Sequence, residues 1–138
     1  MASTFDEIDD TLSTVARAVR RASAQRLGPH GIAMHQLRAL RTIERLGGRP
    51  RIADLAERMH IAPRSATEVV DHLADKGLVT RMPNPDDRRS VVIEVTDAGR
   101  GLMAEVGAAR REVAREFYGV LDADERTELL RLLRKVAP

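Results

Sequence analysis

A chain of 138 residues with 43% apolar side chains is long enough for one domain with a real core, and with only two Phe and one Tyr that core must be aliphatic. Absence of cysteine excludes disulfides, thiolate zinc sites and thiol redox sensing. Net charge is only +2, yet residues 11–64 carry eleven arginines against Glu44, Asp54 and Glu57, an excess that fits polyanion binding and equally fits a set of solvated helix faces.

No apolar stretch approaches the ~18 residues of a membrane span, and no signal peptide appears at Met1-Ala2-Ser3-Thr4, so a soluble cytoplasmic protein is expected. Phe5, Ile8, Leu12, Val15, Val19 and Ala22 recur at alternating spacings of three and four. That is a helix with one apolar seam, suited to a partner helix or to packing within the chain. Gly28-Pro29 and Gly31 end it. A second helix is predicted around Met34–Leu46, stopped by Gly47-Gly48, and a third over Ile52–Met59.

A fourth helix follows the turn His60-Ile61-Ala62. Pro63 suits its first position and Gly77 its C-terminal cap. Ala66, Val69, Val70 and Leu73 form the inner stripe, while Arg64, Ser65, Thr67, Glu68, Asp71, His72 and Asp75 cover the rest. A short helix, a turn and a longer helix with a polar outer face make a helix-turn-helix.

The period then changes. Leu78–Met82 reads as a strand, Pro83–Arg89 as a turn, and Ser90–Thr96 as a second strand with Val91, Ile93 and Val95 on one face. Helix, helix and hairpin in this order is a winged helix-turn-helix, giving a mainly α fold with a two-stranded wing. The tip, Asn84-Pro85-Asp86-Asp87-Arg88-Arg89, suits arginine entry into a narrow minor groove, with an aspartate holding the arginine extended. A solvated turn accounts for the same residues. Asp97 is the expected cap of a long helix to about Tyr118, and Asp122 that of a last helix carrying Leu129, Leu130, Leu132, Leu133 and Val136.

Over nearly its whole length, and most specifically from Ala62 to Arg100, the chain resembles the multiple antibiotic resistance regulator (MarR) family. The resemblance rests on Gly77-Leu78-Val79, on the Asp87-Arg88-Arg89 tip and on Val95-Thr96-Asp97-Ala98-Gly99. It implies a single domain over 1–138, with a DNA-binding lobe at 33–98 and helical dimerisation regions at 5–27 and 99–136. It further implies a homodimer reading a pseudo-palindrome in double-stranded DNA, half-sites about one turn (~10 bp) apart, and more often repressing than activating transcription.

Carried onto this sequence, Arg64, Ser65, Thr67 and Glu68 face DNA from the fourth helix, Ser65 and Thr67 as short donors. Arg89 enters the minor groove, Asp87 orients it and Arg88 meets phosphate; Arg88 and Arg89 are interchangeable in these roles. Dimer contacts fall to Phe5, Ile8, Leu12, Val15, Leu129, Leu132 and Leu133. Family members also release DNA on binding a small anionic aromatic or lipophilic effector between the dimer helices and the winged lobe. Here His30, Met34, His35 and Arg38 would line that cleft. Two positions depart from the family: Ala33 and Ala62 stand where many relatives have a capping Ser or Thr, a loss of ~1 kcal/mol each.

No nucleophile elbow, phosphate-binding loop, dinucleotide fingerprint or His-Glu-x-x-His is present, so no enzymatic activity and no cofactor are expected. Four His without ligand spacing suggest no metal site. Two alternatives to a sequence-specific regulator stay open: a winged domain used for protein–protein contact, and a sequence-tolerant architectural DNA binder.

Overall fold

The computed structural model describes residues 1–28 and 32–138. Its elements are α1 (Thr4–Leu27), α2 (Met34–Leu46), α3 (Ile52–Met59), α4 (Pro63–Asp75), β1 (Val79–Pro83), β2 (Val91–Val95), α5 (Asp97–Tyr118) and α6 (Ala123–Val136). They form two compact units, Met1–Gly28 with Gly107–Pro138, and Pro29–Val106.

The second unit is the winged helix-turn-helix. Ala39, Leu40 and Ile43 of α2, Leu55 and Met59 of α3, and Val70 and Leu73 of α4 bury their side chains together with Val79, Ile93 and Val95 of the hairpin. These are the stripes that the 3.6-residue and two-residue periods single out. The strands pair antiparallel, Val79 opposite Val95 and Pro83 opposite Val91.

The hairpin departs from expectation at both ends. Leu78 is not in the strand, because its N–H closes α4 by donating to the Leu73 carbonyl at 2.9 Å, while Gly77 turns the chain at φ +72°. On β2, Val91 is 38% exposed although it shares a face with Ile93, and Val92 on the opposite face is buried. The cause is a strap from another part of the chain: Arg51 bridges to Val92, and Ile93 N–H donates to the Pro50 carbonyl at 2.8 Å.

The cap of α5 also differs. Thr96, not Asp97, holds its first turn, accepting the Gly99 N–H on Oγ1 at 3.1 Å. The same hydroxyl donates to the Gly77 carbonyl at 2.7 Å, so the end of α4 and the start of α5 share one side chain.

In the first unit, α1 begins at a capping box in which Ser3 and Asp6 each accept the other's backbone N–H. Arg26 near its end binds Glu112 and Glu116 of α5. Asp122 and Glu125 form the matching box on α6. No residue of α6 is buried, and Leu130, Leu132, Leu133 and Val136 are exposed.

Candidate nucleic-acid interface

The inner stripe of α4 fixes which residues it presents outward. Ala66, Val69, Val70 and Leu73 are buried, which leaves Arg64, Ser65, Thr67, Glu68 and His72 exposed. The Arg64 side chain is 93% exposed and lies one turn from Glu68, Nε to Oε1 at 3.7 Å. At that distance and exposure the pair restrains Arg64 only loosely. Thr67 departs from the donor role expected of it. Its hydroxyl proton is committed to the Pro63 carbonyl at 3.0 Å, which leaves an oxygen lone pair and a methyl group outward. Ala62 caps nothing, and Pro63 at the first position removes one unsatisfied donor.

Two contacts hold α4 against its neighbours. Lys76 donates to Gln36 Oε1 at 2.9 Å, and the same oxygen accepts the Ala33 N–H at 3.3 Å. Gln36 thereby satisfies the N–H of Ala33, the half of a capping box that does not need a side-chain oxygen at Ala33, and ties α2 to the end of α4. On the other side Arg81 of β1 pairs with Asp71 of α4.

The wing is two successive turns. Asp87 N–H donates to the Asn84 carbonyl at 3.3 Å, and Ser90 N–H to the Asp87 carbonyl at 3.1 Å. Asn84 Oδ1 accepts the Asp86 N–H at 3.0 Å, and its amide donates to Ser90 Oγ at 2.8 Å. Asp87 does not grip an arginine side chain, as the sequence suggested. Its Oδ1 accepts the backbone N–H of Arg89 at 3.0 Å, the side-chain turn typical of aspartate. Among the described residues no carboxylate pairs with the guanidinium of Arg88 or Arg89, and both are exposed.

Sequence reasoning missed Arg51. Its side chain grips Asp54 through two bonds, 2.8 and 3.1 Å, at the start of α3. The Arg51 side-chain bond, and then its backbone N–H, hold the Asp54 carboxyl below the usual carboxylate range. Asp54 in turn raises the Arg51 guanidinium, helped by the more distant charge of Asp87 in the wing. Spacing of three from Arg to Asp before an apolar run was the available signal.

The expected effector residues fall into two groups. His30 lies outside the described residues. Met34, His35 and Arg38 all line an open groove of about 940 Å³ bounded by α2, α3 and the start of α4. Among the described residues no group of three or more His, Asp or Glu could hold a metal. No helix there is long and apolar enough to cross a membrane. Of the expected dimer residues, Phe5, Ile8, Leu12, Leu132 and Leu133 are exposed, and Val15 and Leu129 are half-buried.

Residues 32–91 match the model of the MarR family. The chain is 36% identical over 117 residues to HTH-type transcriptional regulator Mb0904 of Mycobacterium bovis, covering 83% of this chain and 81% of that protein. It is 25% identical over 133 residues to the HTH-type transcriptional repressor MdtR of Bacillus subtilis, 96% and 85% of the two chains. Among solved structures, a mutant of MarR from E. coli complexed with operator DNA superposes with a TM-score of 0.69 at 28% identity, over 99% of this chain and 100% of that one.

Proposed function

The chain belongs to the MarR family of helix-turn-helix transcriptional regulators, which are not enzymes, and we propose that it represses transcription as a homodimer bound to a pseudo-palindromic site in duplex DNA. The observation that carries this is the pairing, within one compact unit, of an outward polar face on α4 with two arginines at the wing tip that no carboxylate among the described residues pairs with. Arg64 and Ser65 supply donors to base edges or phosphates, Thr67 a methyl and a lone pair, and Glu68 an acceptor or a brake on Arg64. Arg89 reaches the minor groove and Arg88 the backbone, on a tip held rigid by Asn84 and Asp87. The MdtR repressor and the operator complex of the E. coli relative support this reading. Such a regulator works in the cytoplasm, beside the chromosome.

Dimerisation is supported by the exposed apolar residues of α1 and α6, which a lone chain would leave in water. An anionic effector with an apolar body suits the groove at Met34, His35 and Arg38, and its binding releases the DNA.

Selection from random duplex DNA at low and physiological salt tests the proposal. Enrichment of a pseudo-palindrome with half-sites about one turn apart is the expected result. Strong binding at low salt that enriches nothing would leave only phosphate contact, and the proposal would fall. Absence of binding at either salt would favour a protein-contact module instead.

A further inference from the structure

We infer that Arg81 is a further DNA-binding residue, gripping the phosphate strand that passes between α4 and the wing, and that Asp71 acts as a brake by competing for its guanidinium. The inference rests on the proposal that α4 reads a major groove while the wing tip enters the minor groove beside it.

Placement is the first observation. Arg81 stands opposite Ile93 in the hairpin and two residues from Val79, both of them in the core beneath α4. Side chains alternate across a strand, so Arg81 leaves the sheet on that same inner side. A long stem carries its half-exposed head to Asp71 of α4.

Asp71 marks the place on the helix. Arg64, Glu68, Asp71 and Asp75 follow one another at spacings of four, three and four, which puts them on one stripe. That stripe lies opposite the buried Ala66, Val69, Val70 and Leu73, so it runs down the middle of the outward face. An arginine tied to it from β1 therefore stands at the junction of α4 with the wing.

Duplex geometry gives that junction its use. One sugar-phosphate strand separates a major groove from the minor groove next to it, and a domain that occupies both lays that strand across the space between α4 and the hairpin. Arg81 and Asp71 meet it there. A guanidinium fork suits phosphate oxygens, whereas a carboxylate repels them. Arg64 lies 3.7 Å from Glu68, and no carboxylate among the described residues pairs with Arg88 or Arg89. Of these four arginines Arg81 alone is hydrogen-bonded to a carboxylate among the described residues.

A phosphate must displace Asp71 from the fork or share the fork with it, and a carboxylate kept beside a phosphate weakens every complex. Two observations favour this exchange over a static brace. Both side chains are half-exposed, so a phosphate can reach the pair. Val70, Leu73, Val79 and Ile93 already hold α4 against the hairpin without it.

Titration of the full chain against the selected duplex and a random one, over a range of salt, tests this, with thermal midpoints recorded for every variant. Arg81→Gln should weaken binding to both duplexes by about fivefold or more and lower the salt slope by about one. Arg81→Lys, a point charge that phosphate still accepts, should retain most of the affinity. Asp71→Asn keeps the shape and an oxygen for Arg81 but removes the charge. It should tighten both duplexes by about threefold or more, a gain that shrinks as salt rises. A brace cannot produce these opposite signs. Equal weakening by Arg81→Gln and Asp71→Asn would make the pair a strut between α4 and the hairpin and overturn the inference. No change in either variant would place the phosphate strand elsewhere and overturn it too. Failure of the unaltered chain to bind any duplex would instead remove the reading of this face as a DNA interface, and the inference with it.

Discussion

A methyl group at Gly99 would meet the Leu78 carbonyl oxygen and lie 2.8 Å from Val95 Cγ1. That carbonyl cannot step aside, because it accepts the Thr96 N–H at 3.0 Å. The Thr-x-x-Gly spacing is thus a packing requirement where α4, β1 and α5 meet. Gly99→Ala should destabilise the fold by about 1–3 kcal/mol and lower the thermal midpoint by several degrees, read by calorimetry. The wing tip obeys a different logic. Arg89→Ala should weaken specific DNA binding by about 1–3 kcal/mol, in a titration against the selected site, with no change in oligomeric state. Asp87 acts on the backbone of Arg89, and an asparagine oxygen can accept the same N–H. Asp87→Asn should therefore keep most of the affinity that Asp87→Ala loses. From the sequence the two aspartates and two arginines of the tip were legible as a wing. Which atom of Arg89 the aspartate holds was not, because side chain and backbone are equally near along the chain.

At the scale of elements, helix limits followed from periodicity and punctuation. The buried stripes of α2 to α4 repeat every three to four residues, and Gly47, Pro63 and Gly77 mark ends that tertiary contacts leave in place. The hairpin was less legible because its burial is set by a distant segment. Val92 is covered by the Pro50-Arg51 strap, which no alternation within residues 90–96 reveals. The α5 cap was missed for a similar reason, since Thr96 is recruited by the Gly77 carbonyl. That strap also carries the Arg51–Asp54 pair. The Asp54 carboxyl titrates below its usual value when folded, so its contribution is complete above the unfolded value of about 3.9 and is lost as pH falls through the folded one. Asp54→Asn should cost less than about 1 kcal/mol near neutral pH, because Arg51 is exposed and Asp54 only half-buried. Urea melts of both proteins should converge as pH is taken below about 4. A gap that persists in acid would assign the loss to packing instead of charge.

For the whole molecule the open issue in the sequence was whether the α1 seam faces its own chain or a second one. Spacing alone cannot decide this, since both uses need the same apolar repeat. Exposure divides the seam: Val15, Val19 and Ala22 are half-buried, whereas Phe5 is 81% and Leu12 48% exposed. On α6 Leu130, Leu132 and Leu133 are likewise exposed, with Leu129 half-buried. Burying such residues contributes about 25 cal/mol per Å² of apolar surface, so a second copy gains from covering them. Leu12→Glu separates the two uses. Glutamate is a good helix former, and at a half-exposed position it leaves α1 and its Ser3–Asp6 cap undisturbed. Charge in the seam of a dimer would instead be desolvated on both sides of the two-fold axis. Sedimentation equilibrium should then show a monomer whose helix content and thermal transition remain, and binding to the selected palindrome should fall to that of a single half-site. A stable dimer from Leu12→Glu would move the interface off this part of α1. Loss of helix content along with the dimer would return Leu12 to the core of its own chain.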